Sequence, residues 1–209
     1  VAQEIEYAMT PAQMAQCSVS EAIPELFFCK DLEGYGWVVR KGNYLNIGLG
    51  REDTNRLTEH VAEFSQYLKK LGKVPADTPD KFPGHAYLLY PHAIREVIQD
   101  NVLLIGDAAG LAYPQSGEGI RPAVESAMMA AQVIRDAGSD YSQQHLQPYY
   151  EQLTQRFGKR QAEPSLMERL PQSIKELFAH YLLSQRWFAQ HVVMDRWFLH
   201  KQQAPLVFE

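Results

Sequence analysis

Over the first fifty positions, apolar and polar residues alternate in short runs. Ile5-Glu6-Tyr7-Ala8-Met9 alternates and Leu26-Phe27-Phe28-Cys29 is a brief apolar run. Tyr35-Gly36-Trp37-Val38-Val39 and Tyr44-Leu45-Asn46-Ile47-Gly48-Leu49 follow. Such runs, bounded by turn residues, predict strands. Arg40-Lys41-Gly42-Asn43 separates the last two and predicts an antiparallel hairpin, and Asp31-Leu32-Glu33-Gly34 predicts a second turn. The period then lengthens. Leu57, Val61, Phe64, Leu68 and Leu71 recur at steps of four and three, predicting a helix from about Thr54 to Leu71. Asp53 or Thr54 is its expected cap, Lys69 and Lys70 suit its C-terminal dipole, and Gly72 suits its end. Prolines between Val74 and Gly84 mark a connector, and His85 to Tyr90 predicts a strand stopped by Pro91.

Past Asn101 the pattern changes again. Val102-Leu103-Leu104-Ile105 is continuously apolar, as expected of a strand buried on both faces, and runs into Gly106-Asp107-Ala108-Ala109-Gly110. Gln115-Ser116-Gly117-Glu118-Gly119-Ile120 leads to a helix expected over Arg121 to Ala137, with four alanines for close packing. Helices are then expected from Ser142 to about Arg160 and from about Gln172 to Lys201. The aromatic run from Trp187-Phe188 to Trp197-Phe198 leaves two readings open, packing within the protein and contact with a lipid surface. The whole pattern predicts a mixed α/β (α+β) chain, with an antiparallel sheet first and helices last.

Composition narrows the function. The 209 residues are 45% apolar and 22% charged, which excludes a disordered or collagen-like chain. A net charge of −5 argues against a nucleic-acid binder. Acidic residues dominate up to about residue 139 and basic ones over 140–201, a mild asymmetry of solvated surfaces. Cys17 and Cys29 lack paired spacing for zinc or redox chemistry, and the histidines show no metal-ligand arrangement, so no metal site is expected. No apolar run reaches membrane-spanning length and no signal peptide is visible, so reduced thiols in a cytoplasmic protein are expected.

The chemistry concentrates between residues 101 and 137. A strand ending in Gly106-Asp107 sets a carboxylate at the carboxyl edge of a sheet, where open α/β folds bind ligands. Ala108, Ala109 and Gly110 let a bulky ligand approach the backbone, and Pro114 stiffens the loop. Gly117 and Gly119 expose N–H groups at a helix start, whose positive dipole end favours an anionic or electron-rich atom. Asp107 can accept hydrogen bonds from ligand hydroxyls. Together these suit a ligand with a polyol on one side and an electron-accepting ring on the other.

Gly106-Asp107-Ala108-Ala109-Gly110, Pro114, Gly117-Glu118-Gly119-Ile120, Ala123 and Ser126 resemble the second FAD-binding motif of the geranylgeranyl reductase family. The resemblance implies that Asp107 contacts the ribityl–pyrophosphate part of FAD and that Gly117, Gly119 and Ile120 lie beside the flavin pyrimidine edge. Tyr35-Gly36-Trp37, followed by Val38-Val39-Arg40 and then Gly48-Leu49-Gly50, resembles that family's substrate-pocket signature. Tyr35, Trp37, Gly48 and Gly50 match, whereas Val39 and Arg40 stand where Phe and Pro are usual. For the aromatics the alternative is packing in the core of a hairpin, and for Gly48-Leu49-Gly50 it is a bulge.

The resemblance implies a FAD-dependent oxidoreductase reducing alkenes of an isoprenoid-like or other small hydrophobic substrate. Residues 1–90 would then be a substrate-binding portion, 91–140 the C-terminal part of a FAD-binding domain and 141–209 a helical region. A Gly-x-Gly-x-x-Gly turn is not found, so the expectation is a C-terminal portion whose pyrophosphate-gripping unit precedes Val1. No catalytic residue is assigned: Tyr35, Tyr113 and Glu118 qualify as proton donors by chemical type alone. The external electron donor is not specified, and peripheral membrane contact stays open. A monooxygenase, hydroxylase or halogenase of the same fold remains an alternative, as does a non-catalytic chain that no longer binds FAD.

Overall fold

In a computed structural model, residues 1–53, 56–86, 88–90, 93, 95–160 and 171–207 are described. The chain divides into two compact units, Val1–Ala86 and Tyr87–Glu209. It is a mixed α+β protein, with an antiparallel sheet in the first unit and mostly helices in the second.

The first unit holds β1 (Ala2–Ala8), α1 (Pro11–Gln16), β2 (Glu25–Phe28), β3 (Gly34–Lys41), β4 (Tyr44–Arg51), α2 (Leu57–Lys70) and β5 (Gly84–His85). Its sheet runs β2-β3-β4-β1-β5 with every described pairing antiparallel. The expected hairpin is β3–β4, closed at Lys41↔Tyr44 around Gly42-Asn43. α1 has no apolar periodicity to announce it. Its signal is Thr10-Pro11-Ala12-Gln13, which forms a capping box with proline in the first turn.

α2 begins later than expected. Asp53 does not cap it: its carboxylate accepts from Arg51 Nε at 2.7 Å, while Arg56 occupies the cap position in a left-handed conformation. Thr54 lies outside the described residues. The α2 stripe packs as its spacing requires, with Val61, Phe64 and Leu68 buried against Val38, Leu45, Ile47 and Leu49 of the sheet. Leu71 instead sits exposed beyond the helix end. The strand expected over His85 to Tyr90 is smaller. Gly84–His85 pairs with β1, Leu89 makes one parallel bridge to Ala112, and Tyr87 and Pro91 lie outside the described residues.

The second unit holds β6 (Ile98–Gln99), β7 (Val102–Leu103), a 3-10 turn (Gly106–Ala109), α3 (Ile120–Asp136), α4 (Gln143–Phe157), α5 (Gln172–Leu183) and α6 (Arg186–Phe188). α6 continues into a π-helix over Ala189–Phe198. The run Val102 to Ile105 forms only a two-residue pairing with β6, and Val102 and Ile105 are exposed. A strand covered on both faces needs neighbours on both sides, and here β6 is its one ladder partner among the described residues. The core instead gathers Leu111, Met129, Val133, Leu146, Tyr149 and Leu153 between α3 and α4. The helix expected over Gln172 to Lys201 is broken at Ser184-Gln185 and changes pitch at Ala189.

Candidate functional site

Gly106 and Gly117 take φ of +51° and +63°, which an L side chain adopts only under strain. Gly106 N–H donates to the buried Ser126 Oγ at 3.0 Å, and Ser126 Oγ donates in turn to Ala123 O. The start of the 3-10 turn is thereby held against α3. A Cβ on Gly106 would stand 3.0 Å from Ala123 Cβ, so the alanine at 123 is part of the same close approach. Tyr149 on α4 donates to Leu104 O at 2.6 Å, and burial pushes its hydroxyl up to about 12. It therefore stays protonated and fixes the chain entering the turn.

Asp107 and Ala108 are exposed on the turn, whereas Gly106 and Ala109 are buried. The second loop closes on itself through Tyr113 N–H to Glu118 O at 3.0 Å and Gly117 N–H to Tyr113 O at 2.8 Å, with Pro114 inside the closure. Glu118 Oε1 accepts from Arg121 N–H at 2.8 Å, satisfying one donor of the α3 N-terminus, and Pro122 brings no N–H. The N–H groups of Gly119 and Ile120 have no acceptor among the described residues. Gly119 is the cap position and faces Asp107: a Cβ there would lie 3.1 Å from Asp107 Oδ1. Exposed Asp107 and half-buried Gly119 thus lie together at the start of α3, with Ile120 beside them at 79% exposure. Together they offer one carboxylate acceptor, two backbone donors and a helix dipole.

Tyr35, Trp37, Gly48 and Gly50 come together in the first unit. The ladder pairs Trp37 with Gly48 and Tyr35 with Gly50 without interruption, so the two glycines form no bulge. Their role is space. A Cβ on Gly48 would fall 2.1 Å from Trp37 Cζ2, and one on Gly50 would stand 3.8 Å from Trp37 Cζ3. The indole lies over the opposite strand, anchored by Nε1 donating to Asn46 Oδ1 at 2.7 Å. Trp37 and Tyr35 have centroids 5.8 Å apart, and Tyr35 and Phe28 6.0 Å. These half-buried rings share the face opposite the one that α2 covers, where Gly36 lies against Phe64. Val39 shares the aromatic face and Arg40 the other.

Among the residues considered as proton donors, Tyr113 donates its hydroxyl to Gln203 Oε1 at 2.7 Å, and burial raises its pKa. Glu118 caps α3. Tyr35 lies in the aromatic row.

Sequence reasoning missed two ion-pair centres. Arg51, with a side chain only 3% exposed, donates to Asp31 and Asp53. Those bonds hold both carboxyls below the usual range. Glu125 on α3 accepts from Arg156 Nε at 2.8 Å and from Arg121 Nε at 2.8 Å. Burial opposes ionisation of Glu125, but the hydrogen bonds from Arg156 and Arg121 outweigh it and lower its pKa. The Arg121–Glu125 step of four was a signal in the sequence. No cluster of metal-ligating residues occurs among the described residues, and no described helix is long and apolar enough to cross a membrane.

The mixed α+β fold, with its antiparallel sheet and C-terminal helical region, matches a Rossmann-like reductase architecture. A geranylgeranyl bacteriochlorophyll reductase-like protein of Thermoplasma acidophilum shares the fold at a TM-score of 0.62 and 22% identity, covering 96% of this chain and 54% of that one. No protein-family model matches the chain. The digeranylgeranylglycerophospholipid reductase of Methanocaldococcus jannaschii is 30% identical over 150 residues, 69% of this chain and 37% of that protein. Digeranylgeranylglycerophospholipid reductase 2 of Methanosphaera stadtmanae is 34% identical over 137 residues, 60% of this chain and 33% of that protein. The chain thus spans about a third of the length of these relatives. The sequence similarities support a relationship to the geranylgeranyl reductase-like family, and the solved structure shares the fold.

Proposed function

We propose that this chain is the substrate-sheet and C-terminal portion of a FAD-dependent reductase that reduces alkenes of an isoprenoid-like substrate. The observation that carries the reading is the approach of Asp107 to Gly119 at the start of α3, where a Cβ at 119 would stand 3.1 Å from Asp107 Oδ1. The residues present fit a flavin. Asp107 is free to accept from ribityl hydroxyls, while Gly117, Gly119 and Ile120 present backbone and helix dipole to the electron-rich edge of the ring. Gly106, Ala108 and Pro114 shape the loop, and Glu118 orders the helix start by capping Arg121 N–H. When bound and reduced by an external electron donor, FAD would supply a hydride to one alkene carbon, and an acid would supply the proton to the other.

The remaining roles belong to the chain. In residues 1–90 the row Phe28, Tyr35 and Trp37, seated over Gly48 and beside Gly50, offers a flat apolar wall for a hydrophobic substrate. Residues 91–140 contribute the flavin loop, and 141–209 the helical region. α5 adds an exposed apolar stripe of Ile174, Leu177, Phe178 and Tyr181, which supports peripheral contact of a cytoplasmic protein with a lipid surface. Names of the relatives support the substrate class: both are called reductases of a geranylgeranyl lipid. The test is turnover of a geranylgeranyl lipid by the FAD-loaded gene product with dithionite as the reductant, run with and without oxygen. Alkene reduction without oxygen consumption upholds the reading, whereas oxygen-dependent product or an unchanged substrate overturns it.

A further inference from the structure

A second cluster in the 87–209 unit is left unused by that reading. Tyr90, Phe157, Tyr113 and His200 form a continuous run of ring contacts, with centroids 5.8, 6.2 and 3.6 Å apart and the last pair stacked. The four rings come from four separate segments of the sequence. Beside them opens a cavity of about 420 Å³, a size typical of small-molecule sites. Trp197 and Pro114 complete its walls, and Lys159, Arg196, Gln115 and Gln202 also line it. Its lining holds two cations and no carboxylate among the described residues.

Two backbone departures meet here. Arg196 and Trp197 are carried by a π-helix ten residues long, a form that mostly occurs as single-turn bulges and often at functional sites. His200 takes φ of +45°, is 7% exposed, and leaves Nε2 without a partner among the described residues. Strain and an orphaned polar atom persist where surrounding structure holds them, and both cluster at ligand sites. Burial lowers the His200 pKa, so the ring on Tyr113 is the neutral imidazole.

Phe157 and Trp197, the half-buried rings of the lining, suit a planar conjugated body, the two amide side chains can pair with the edge of a heterocycle, and Lys159 with Arg196 selects an anion. We propose that this cavity binds a nucleoside monophosphate group, with its base against the rings and its phosphate at Lys159 and Arg196. The cavity shares the Tyr113–Gln115 loop with the flavin reading, but Lys159, Arg196, Trp197 and His200 of its lining lie outside the residues that reading uses, so the proposal does not rest on it.

The test is calorimetric titration of the full chain with adenosine 5′-monophosphate, adenosine and inorganic phosphate. The expected result is saturable monophosphate binding that weakens with salt, with adenosine and inorganic phosphate each at least roughly tenfold weaker. Reversing both charges, Lys159→Glu with Arg196→Glu, is expected to cost at least roughly tenfold in affinity, and Asp107→Ala to cost none. Both cations are exposed, and the paired Gln substitutions give a second reading if the Glu pair lowers the melting temperature. The proposal is overturned by absence of saturable binding up to about 5 mM, by phosphate binding as well as the nucleotide, or by a charge-reversed chain that binds unchanged. Loss of binding in Asp107→Ala would also overturn it, by moving the ligand to the other site.

Discussion

Asp107 Oδ1 lies close over Gly119: a Cβ on Gly119 would stand 3.1 Å from it, so the carboxylate would have to give by a few tenths of an ångström. A contact that tight forces the carboxylate or the helix start to shift. Gly119→Ala is expected to weaken FAD binding by about tenfold while leaving the melting temperature nearly unchanged, because the site is exposed. Flavin-fluorescence titration reads the affinity, and an unchanged Kd would remove Gly119 from the proposed flavin site.

Trp37 makes the same demand of Gly48, more severely. A Cβ at 48 would stand 2.1 Å from Trp37 Cζ2 and 2.5 Å from Cε2. Gly48→Ala is expected to destabilise the first unit by about 1–3 kcal/mol, as overpacking does. Trp37→Leu in the same chain should recover much of that loss, since the clash goes with the ring. Urea unfolding of the two single variants and the double variant measures the coupling, and strictly additive losses would contradict the packing described.

Glu125 is buried between two guanidiniums. Glu125→Gln leaves Arg121 and Arg156 without their charge partner and is expected to cost about 3 kcal/mol near neutral pH. Its folded pKa lies below the unfolded one, so the ionised centre stabilises the protein above about pH 4.3 and loses that contribution as pH falls through the folded pKa. The stability gap between wild type and Glu125→Gln should therefore narrow at acid pH. Denaturation at a series of pH values checks this, and a gap independent of pH would refute the assignment.

On α5, Ile174, Leu177, Phe178 and Tyr181 recur at helical spacing, and Leu177 is 74% exposed. Leu177→Glu with Phe178→Glu is expected to abolish co-sedimentation with vesicles containing anionic phospholipid. Equal sedimentation of both proteins, or none by the wild type, would reject the lipid contact.

Much of this was legible from local pattern. The spacing of Val61, Phe64 and Leu68 located both α2 and the face it buries, because an amphipathic stripe has one place to go. The β3–β4 hairpin followed from two runs and a turn. Which sheet face the aromatics take was not legible: Trp37 and Val38 are both apolar, and only the partner strand's glycines separate them. Gly48 and Gly50 read equally well as a bulge until Trp37 was placed over them. The Asp107 loop was legible as a unit because small residues surround a single carboxylate, whereas its contact with Gly119 depends on a turn that brings residues twelve apart together. Arg156 on Glu125 is a long-range pairing that no local spacing announces. Ten residues of π-helix differ too little in period from an α-helix for Ala189–Phe198 to betray the change.

The most direct test is equilibrium titration of the gene product with FAD, comparing wild type with Asp107→Ala. The account predicts one bound flavin per chain in the wild type and an affinity lower by about tenfold or more in the variant, the loss expected when a charged acceptor is removed. A wild-type protein that binds no flavin, or an Asp107→Ala protein that binds it unchanged, would contradict it.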